Sequence, residues 1–137
     1  MKKLPFVLLL FCIGCETKQA VAPINIALVN NNRSLKITGL DNAILQDIAR
    51  DTSNHFENLM PVYRMPADTD MKDYQPIQPG KYLVKNSAVV FTPDTAFAKG
   101  QVYFMRYYQY DGGSVWDFVK GKRSATKLRY IDLIFKQ

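Results

Sequence analysis

The stretch from Gly80 to Tyr110, GKYLVKNSAVVFTPDTAFAKGQVYFMRYYQY, most constrains what this chain can fold into. Three short runs rich in Val, Tyr and Phe, Lys81–Lys85, Ala88–Thr92 and Gln101–Tyr110, are separated by Asn86-Ser87 and by Pro93-Asp94 through Gly100. β-Branched and aromatic residues fit a pleated, half-buried surface, and the intervening residues fit turns. The first two runs are expected to pair as a hairpin. In the third, Val102, Phe104, Arg106, Tyr108 and Tyr110 point one way and Tyr103, Met105, Tyr107 and Gln109 the other. Both faces are largely apolar, so this strand should be central or covered.

The flanking sequence extends the same rhythm. Ile24–Val29 and Leu35–Thr38 read as strands around an Asn30-Asn31-Asn32-Arg33 turn, since Asn tolerates left-handed backbone angles, and Gly39 ends the second. Asp41 is placed to cap a helix over Asn42–Arg50, with Leu40 and Leu45 spaced as a hydrophobic staple and Ile44 and Ile48 one turn apart. His55–Leu59 adds a helical turn. Met60–Met65 reads as a strand with Pro61 at its start or on an edge. The polar segment Pro66–Pro79 is expected to be a surface loop. Asp111-Gly112-Gly113 signals a hairpin into a short strand, Ser114–Val119, which carries the only Trp, and Lys120–Ser124 is a basic turn. Ala125–Phe135 closes the domain. Leu128 and Tyr130 fall on one face and Ile131, Leu133 and Phe135 on the other, a phase change that predicts a β-bulge near Tyr130. The expected fold is mainly β: an antiparallel sandwich of about seven to nine strands with one short α-helix near residues 42–50.

The first residues have a separate logic. Met1-Lys2-Lys3 is a basic start, and Leu4–Ile13 is almost continuously apolar. That run is about ten residues, whereas a membrane-spanning helix needs about 20, so it reads as the apolar region of a secretory signal peptide. It ends in Cys12-Ile13-Gly14-Cys15. This resembles the lipobox of bacterial lipoproteins, in which a small residue precedes the lipidated cysteine. The resemblance implies a lipid on Cys15, a fatty acid such as palmitate on its amino group, and cleavage after Gly14. Phe11 is too large to precede a cleavage site at Cys12. Three segments follow: a signal peptide over 1–14, the lipidated cysteine and a flexible tether over 15–23, and one domain over 24–137. The implied location is the bacterial cell envelope, at a membrane, with the outer membrane favoured over the inner.

Loss of Lys2 and Lys3 with the leader lowers the formal charge from +6 to +4, an ordinary value for a soluble domain that points to no nucleic-acid partner. Lys99-Gly100-Gln101-Val102-Tyr103-Phe104 echoes an RNA-recognition signature, but Gln101 and Val102 break it. Beyond Cys15 there is no cysteine, hence no disulfide, thiolate nucleophile or Cys-based zinc site. His55 is the sole histidine, and nothing beside it suggests a catalytic set, so it reads as a surface or capping residue. Asp68, Asp70 and Asp73 surround Lys72 and lack the Gly and distal Glu of a calcium loop. No catalytic, cofactor or metal site is expected.

The phrase Val89-Val90-Phe91-Thr92-Pro93-Asp94, with Phe97, Lys99-Gly100 and Tyr103, resembles bacterial Ig-like domains of envelope and surface-layer proteins. The resemblance covers roughly Lys81 to Tyr110 and implies an Ig-like β-sandwich with an adhesive, spacer or binding role. The functional expectation is therefore a lipid-anchored envelope protein whose β-sandwich binds or scaffolds without catalysis, its partners being the membrane through Cys15 and an envelope protein or glycan. One alternative is a carbohydrate-binding accessory lipoprotein using a surface of Tyr103, Tyr107, Tyr108, Tyr110 and Trp116, whose rings could stack on sugars. Another is a small hydrolase dependent on Asp, since Glu is confined to Glu16 and Glu57.

Overall fold

The computed structural model describes residues 23–109 and 129–137. Seven strands, one α-helix and two short 3-10 turns occupy them. The strands β1 (Asn25–Val29), β2 (Ser34–Thr38), β5 (Ala88–Pro93) and β4 (Gly80–Lys85) form a first sheet in the order β1-β2-β5-β4. The strands β3 (Val62–Arg64), β6 (Val102–Gln109) and β7 (Arg129–Lys136) form a second in the order β3-β6-β7. Every ladder is antiparallel. The expected mainly β architecture with one short helix is the one observed.

Local chemistry explains the elements. Asn30, Asn31 and Asn32 all take positive φ to turn β1 into β2. Asn86 and Ser87, at φ 51° and 58°, make the two-residue turn between β4 and β5, where positive φ at both central residues matches the strand twist. Gly39 ends β2 at φ +85°, and a Cβ there would lie 2.5 Å from the Pro23 carbonyl oxygen. The helix α1 (Asn42–Arg50) starts as its sequence predicts: the Asp41 carboxylate accepts from the Ala43 N–H at 2.7 Å. Leu40 and Leu45 both enter the core, as a staple requires.

One core lies between the sheets. Leu35, Ile37, Val89, Phe91 and Tyr82 enter it from the first sheet, and Val62, Tyr103 and Met105 from the second. Phe97, in the β5–β6 connection, bridges them: its ring lies 6.4 Å from Phe91, 4.8 Å from Tyr103 and 5.2 Å from Phe135. The helix plugs one side with Leu45 and Ile48. The Tyr82 hydroxyl donates to the Met60 carbonyl at 2.8 Å, tying the first sheet to the approach to β3.

Two expectations need correction. The β6–β7 register runs unbroken from Val102↔Lys136 to Gln109↔Arg129, so no bulge occurs at Tyr130. Tyr130 faces outward with Asp132 and Ile134, and its apolar character reflects contacts on that outer face. The segment 66–79 is also more than a loop. It contains a 3-10 turn over Thr69–Tyr74, started by the Asp68 carboxylate accepting from the Asp70 N–H at 3.0 Å. Ile77 then bridges to Tyr63, and the Gln78 N–H donates to the Val62 carbonyl at 2.7 Å, covering the free edge of β3. The expected 111–113 hairpin, 114–119 strand and 120–124 turn lie outside the described residues.

Candidate functional site

The strand β6 decides what can be displayed, because its residues alternate between two covered faces. Tyr103 points inward and is only 4% exposed. Its hydroxyl accepts from the Ala98 N–H at 2.8 Å, and its ring stacks on Phe135 at 5.6 Å. Tyr103 is thus a core residue and not part of a ligand surface, a correction to the five-residue aromatic cluster. Tyr107 shares the inner face, half-buried against the core; burial, then the nearby Asp41 carboxylate, pushes its phenol above the usual range. Tyr108 points outward, half-buried, edge-on to Tyr130 at 5.8 Å. Tyr110 and Trp116 lie outside the described residues. The period of two along a strand sends 103 and 107 to the face opposite 108, so the cluster never could form one surface.

The Ala98 N–H offers a stability test. Tyr103→Phe removes its acceptor and keeps the ring; because Ala98 is exposed and water can reach the freed N–H, the loss should be that of an ordinary hydrogen bond, about 0.5–1.5 kcal/mol. A lower denaturant midpoint with an unchanged slope is the expected result.

The outer face of the second sheet holds an ionic cluster. Arg106 is 7% exposed. Its guanidinium donates twice to Asp132, Nε to Oδ1 at 2.8 Å and Nη2 to Oδ2 at 3.0 Å. Lys72 Nζ reaches Asp132 Oδ2 at 2.7 Å, and Arg106 Nη2 reaches Asp73 Oδ1 at 2.9 Å. The 3-10 turn therefore straps down over β6 and β7. Aromatic faces complete the packing: the Arg106 guanidinium sits 4.0 Å from the Tyr130 centroid, Lys72 Nζ 4.6 Å from that of Phe104, and Tyr63 stacks on Phe104 at 5.0 Å. Burial alone would raise the Asp132 carboxyl, but hydrogen bonds from Arg106 and Lys72, with their charges, outweigh it and hold the group below the usual carboxylate range. Burial, reinforced by Tyr108, pushes the Tyr63 phenol up to about 12.

Of the acids in the calcium-like stretch, Asp68 caps the strap and Asp73 pairs with Arg106. Among the described residues no group of three or more His, Cys, Asp or Glu could hold a metal ion. His55 meets Asp51 through Nδ1 at 3.3 Å, and Asp51 also accepts from the Ser53 N–H at 3.0 Å. Burial opposes ionisation of Asp51, but these bonds and others from the following backbone hold it below the usual range. Asp51 is also the residue that ends α1, so the pair joins the helix end to the 3-10 turn over His55–Asn58.

The chain matches no protein-family model, no curated protein and no solved structure.

What the domain does present is surface. The strap exposes Tyr74 (77%) and Met71, and β7 exposes Ile134 (61%) beside Tyr130. Their exposure is not legible in the sequence, because 66–79 looks polar and apolar residues fall on both faces of β7. A hollow of about 430 Å³ between the end of α1 and β4, lined by Ile48, Asn54, Tyr82 and Asp94 among others, opens to solvent. A second, about 600 Å³, lies beside Arg64 and Gln101, whose side chains bond at 2.7 Å.

Proposed function

We propose that this is a lipid-anchored protein of the bacterial envelope whose Ig-like β-sandwich works as a non-enzymatic binding or scaffolding module. The supporting observation is a spacing: the lipobox-like Cys15 stands ten positions before Asn25, the first residue of β1. An acyl chain on Cys15 would hold the sandwich beside a membrane through a tether reaching at most roughly 3.3–3.6 Å per residue.

Two features support the Ig-like assignment. The order β1-β2-β5-β4 over β3-β6-β7 corresponds to the A-B-E-D over C-F-G pairing of constant-type immunoglobulin sandwiches. Tyr103, near the start of β6, bonds back to the Ala98 backbone five residues upstream, which resembles the tyrosine corner at the E–F connection of those domains. Two residues on, where their inter-sheet cysteine stands, this chain has fully buried Met105.

A second reading, binding of a glycan or partner protein through aromatic residues, is favoured by the Tyr108–Tyr130 pair on the outer face, where Tyr130 is 46% exposed. Among the described residues no comparable observation favours an Asp-dependent hydrolase: Asp51 ends α1 and accepts from the Ser53 N–H, and Asp132 is held in an ion pair.

Metabolic labelling with a fatty-acid analogue tests the anchor. The wild-type chain should take up label and the Cys15→Ala chain should not. An unlabelled wild type refutes the proposal.

A further inference from the structure

The outer face of the first sheet has a one-sided charge. Its four strands contain three lysines, Lys36, Lys81 and Lys85, and no Asp or Glu. Alternation along the strands sends all three lysines outward, where each is exposed. On β4 they flank Leu83, which is 65% exposed. Leu83 lies opposite Val90, Val90 opposite Lys36, and Lys36 opposite Ala27, so one row crosses the whole sheet. Arg33, in the β1–β2 turn, adds an exposed cation, and two acids, Asp51 and Asp94, border the face at one place, where they line a hollow with Lys81 and Leu83. Among the described residues none of the three lysines makes an ion pair.

Lysines on an edge strand commonly serve to block pairing with another sheet. That accounts for Lys81 and Lys85 on β4. It does not account for Lys36, because β2 is interior, between β1 and β5. Lys81 and Lys85 stand roughly 13 Å apart along the strand, and Lys36 lies roughly 10 Å across the sheet from Leu83, given the usual strand rise and spacing. Cations spread at that scale on a flat face, with an apolar side chain among them, match a continuous anionic surface better than one small ion.

We infer that this face docks on an anionic, phosphate-bearing lipid surface, with Lys36, Lys81 and Lys85 at the headgroups and Leu83 pressed among them. The nearness of a membrane rests on the anchor reading above. The chain enters β1, an edge of this same sheet, and the nine residues between Cys15 and Asn25 reach at most roughly 30 Å, comparable with the width of a domain whose radius of gyration is about 13 Å. The sheet can therefore lie flat on the bilayer that the anchor occupies.

The test uses the full chain carrying Cys15→Ser, so that no acyl chain contributes, with vesicles of phosphatidylcholine alone or mixed with phosphatidylglycerol. Residues 1–14 are the same in every variant and cancel in the comparison. Binding should be stronger on the anionic vesicles and weaken with salt. Lys36→Gln, Lys81→Gln and Lys85→Gln together should lower the anionic partition coefficient by about two orders of magnitude, each lysine near such a surface being worth about fivefold, and leave binding to neutral vesicles unchanged. The paired control Lys99→Gln and Lys136→Gln should have a much smaller effect. Circular dichroism checks that each variant is folded. Equal binding of the triple variant and its parent, or an equal loss in the control, overturns the proposal, as does a triple variant that loses only binding to an anionic glycan. Fatty-acid labelling of unsubstituted Cys15 stands apart from this result, so the anchor and the docking face can fail separately.

Discussion

Asp132→Ala should destabilise the protein by about 3–5 kcal/mol, the usual effect of removing one partner from a buried ion pair. The substitution strands Arg106, 7% exposed, with only the surface carboxylate of Asp73, and takes from Lys72 the oxygen that holds the strap over β6 and β7. The double replacement Arg106→Met with Asp132→Leu should lose less than the single one, because the buried guanidinium goes with its carboxylate and only Lys72, less buried than Arg106, is left to find another partner. Urea titrations of the three chains measure this. A double variant less stable than Asp132→Ala would mean that the pair contributes more than the charge balance it maintains. Acid should act on the same contact. The carboxyl of Asp132 is held below its unfolded value of about 3.9. Its contribution is therefore complete above that value and disappears as pH falls through the lower folded pKa. Asp51, depressed in the same sense, adds to the loss over the same window. In Asp132→Ala the acid limb of the stability profile should be shallower than in the parent.

Phe91→Ala should cost about 3–5 kcal/mol through the cavity it opens. Phe91 is fully buried, 4.8 Å from the Tyr82 ring, and meets Phe97, which joins the two sheets. It also explains Gly80. A Cβ at that position would lie 2.5 Å from the Phe91 ring and 2.5 Å from the Thr92 carbonyl oxygen. Gly80→Ala alone should therefore cost about 1–3 kcal/mol by overpacking. In the Phe91→Ala background its penalty should fall, because the ring is gone, yet persist, because the Thr92 carbonyl remains. A double-mutant cycle reads that coupling directly, and strict additivity would contradict the packing described.

The features readable in the chain are those whose causes are local. Asp41 and Leu40 announce the start of α1, the Asn run marks the β1–β2 turn, and Asn86-Ser87 sets the β4–β5 hairpin, each within a few residues of what it determines. The strap was not readable. Its purpose depends on Lys72 and Asp73 meeting Asp132 and Arg106, far along the chain, and a polar segment with several prolines gives no sign of such a meeting. Tyr130 misled for a related reason. Apolar residues on both faces of β7 look like a slipped register when only one face is assumed to be covered, whereas here a cation and a tyrosine lie against the second. Alternation on β6 separated Tyr103 from Tyr108, but with both faces apolar it did not tell which face was inside. The lysine face of the first sheet was present in the strand sequences and became a surface only once β1, β2, β5 and β4 stood side by side.

The central claim, a sandwich presented at a membrane by a lipid on Cys15, meets its most direct test in the intact mass of the protein extracted from bacterial membranes. The expected species begins at Cys15, lacks residues 1–14 and carries the added mass of a diacylglyceryl group and an amide-linked fatty acid. A chain that still begins at Met1, or one that begins elsewhere without acyl mass, would contradict the account.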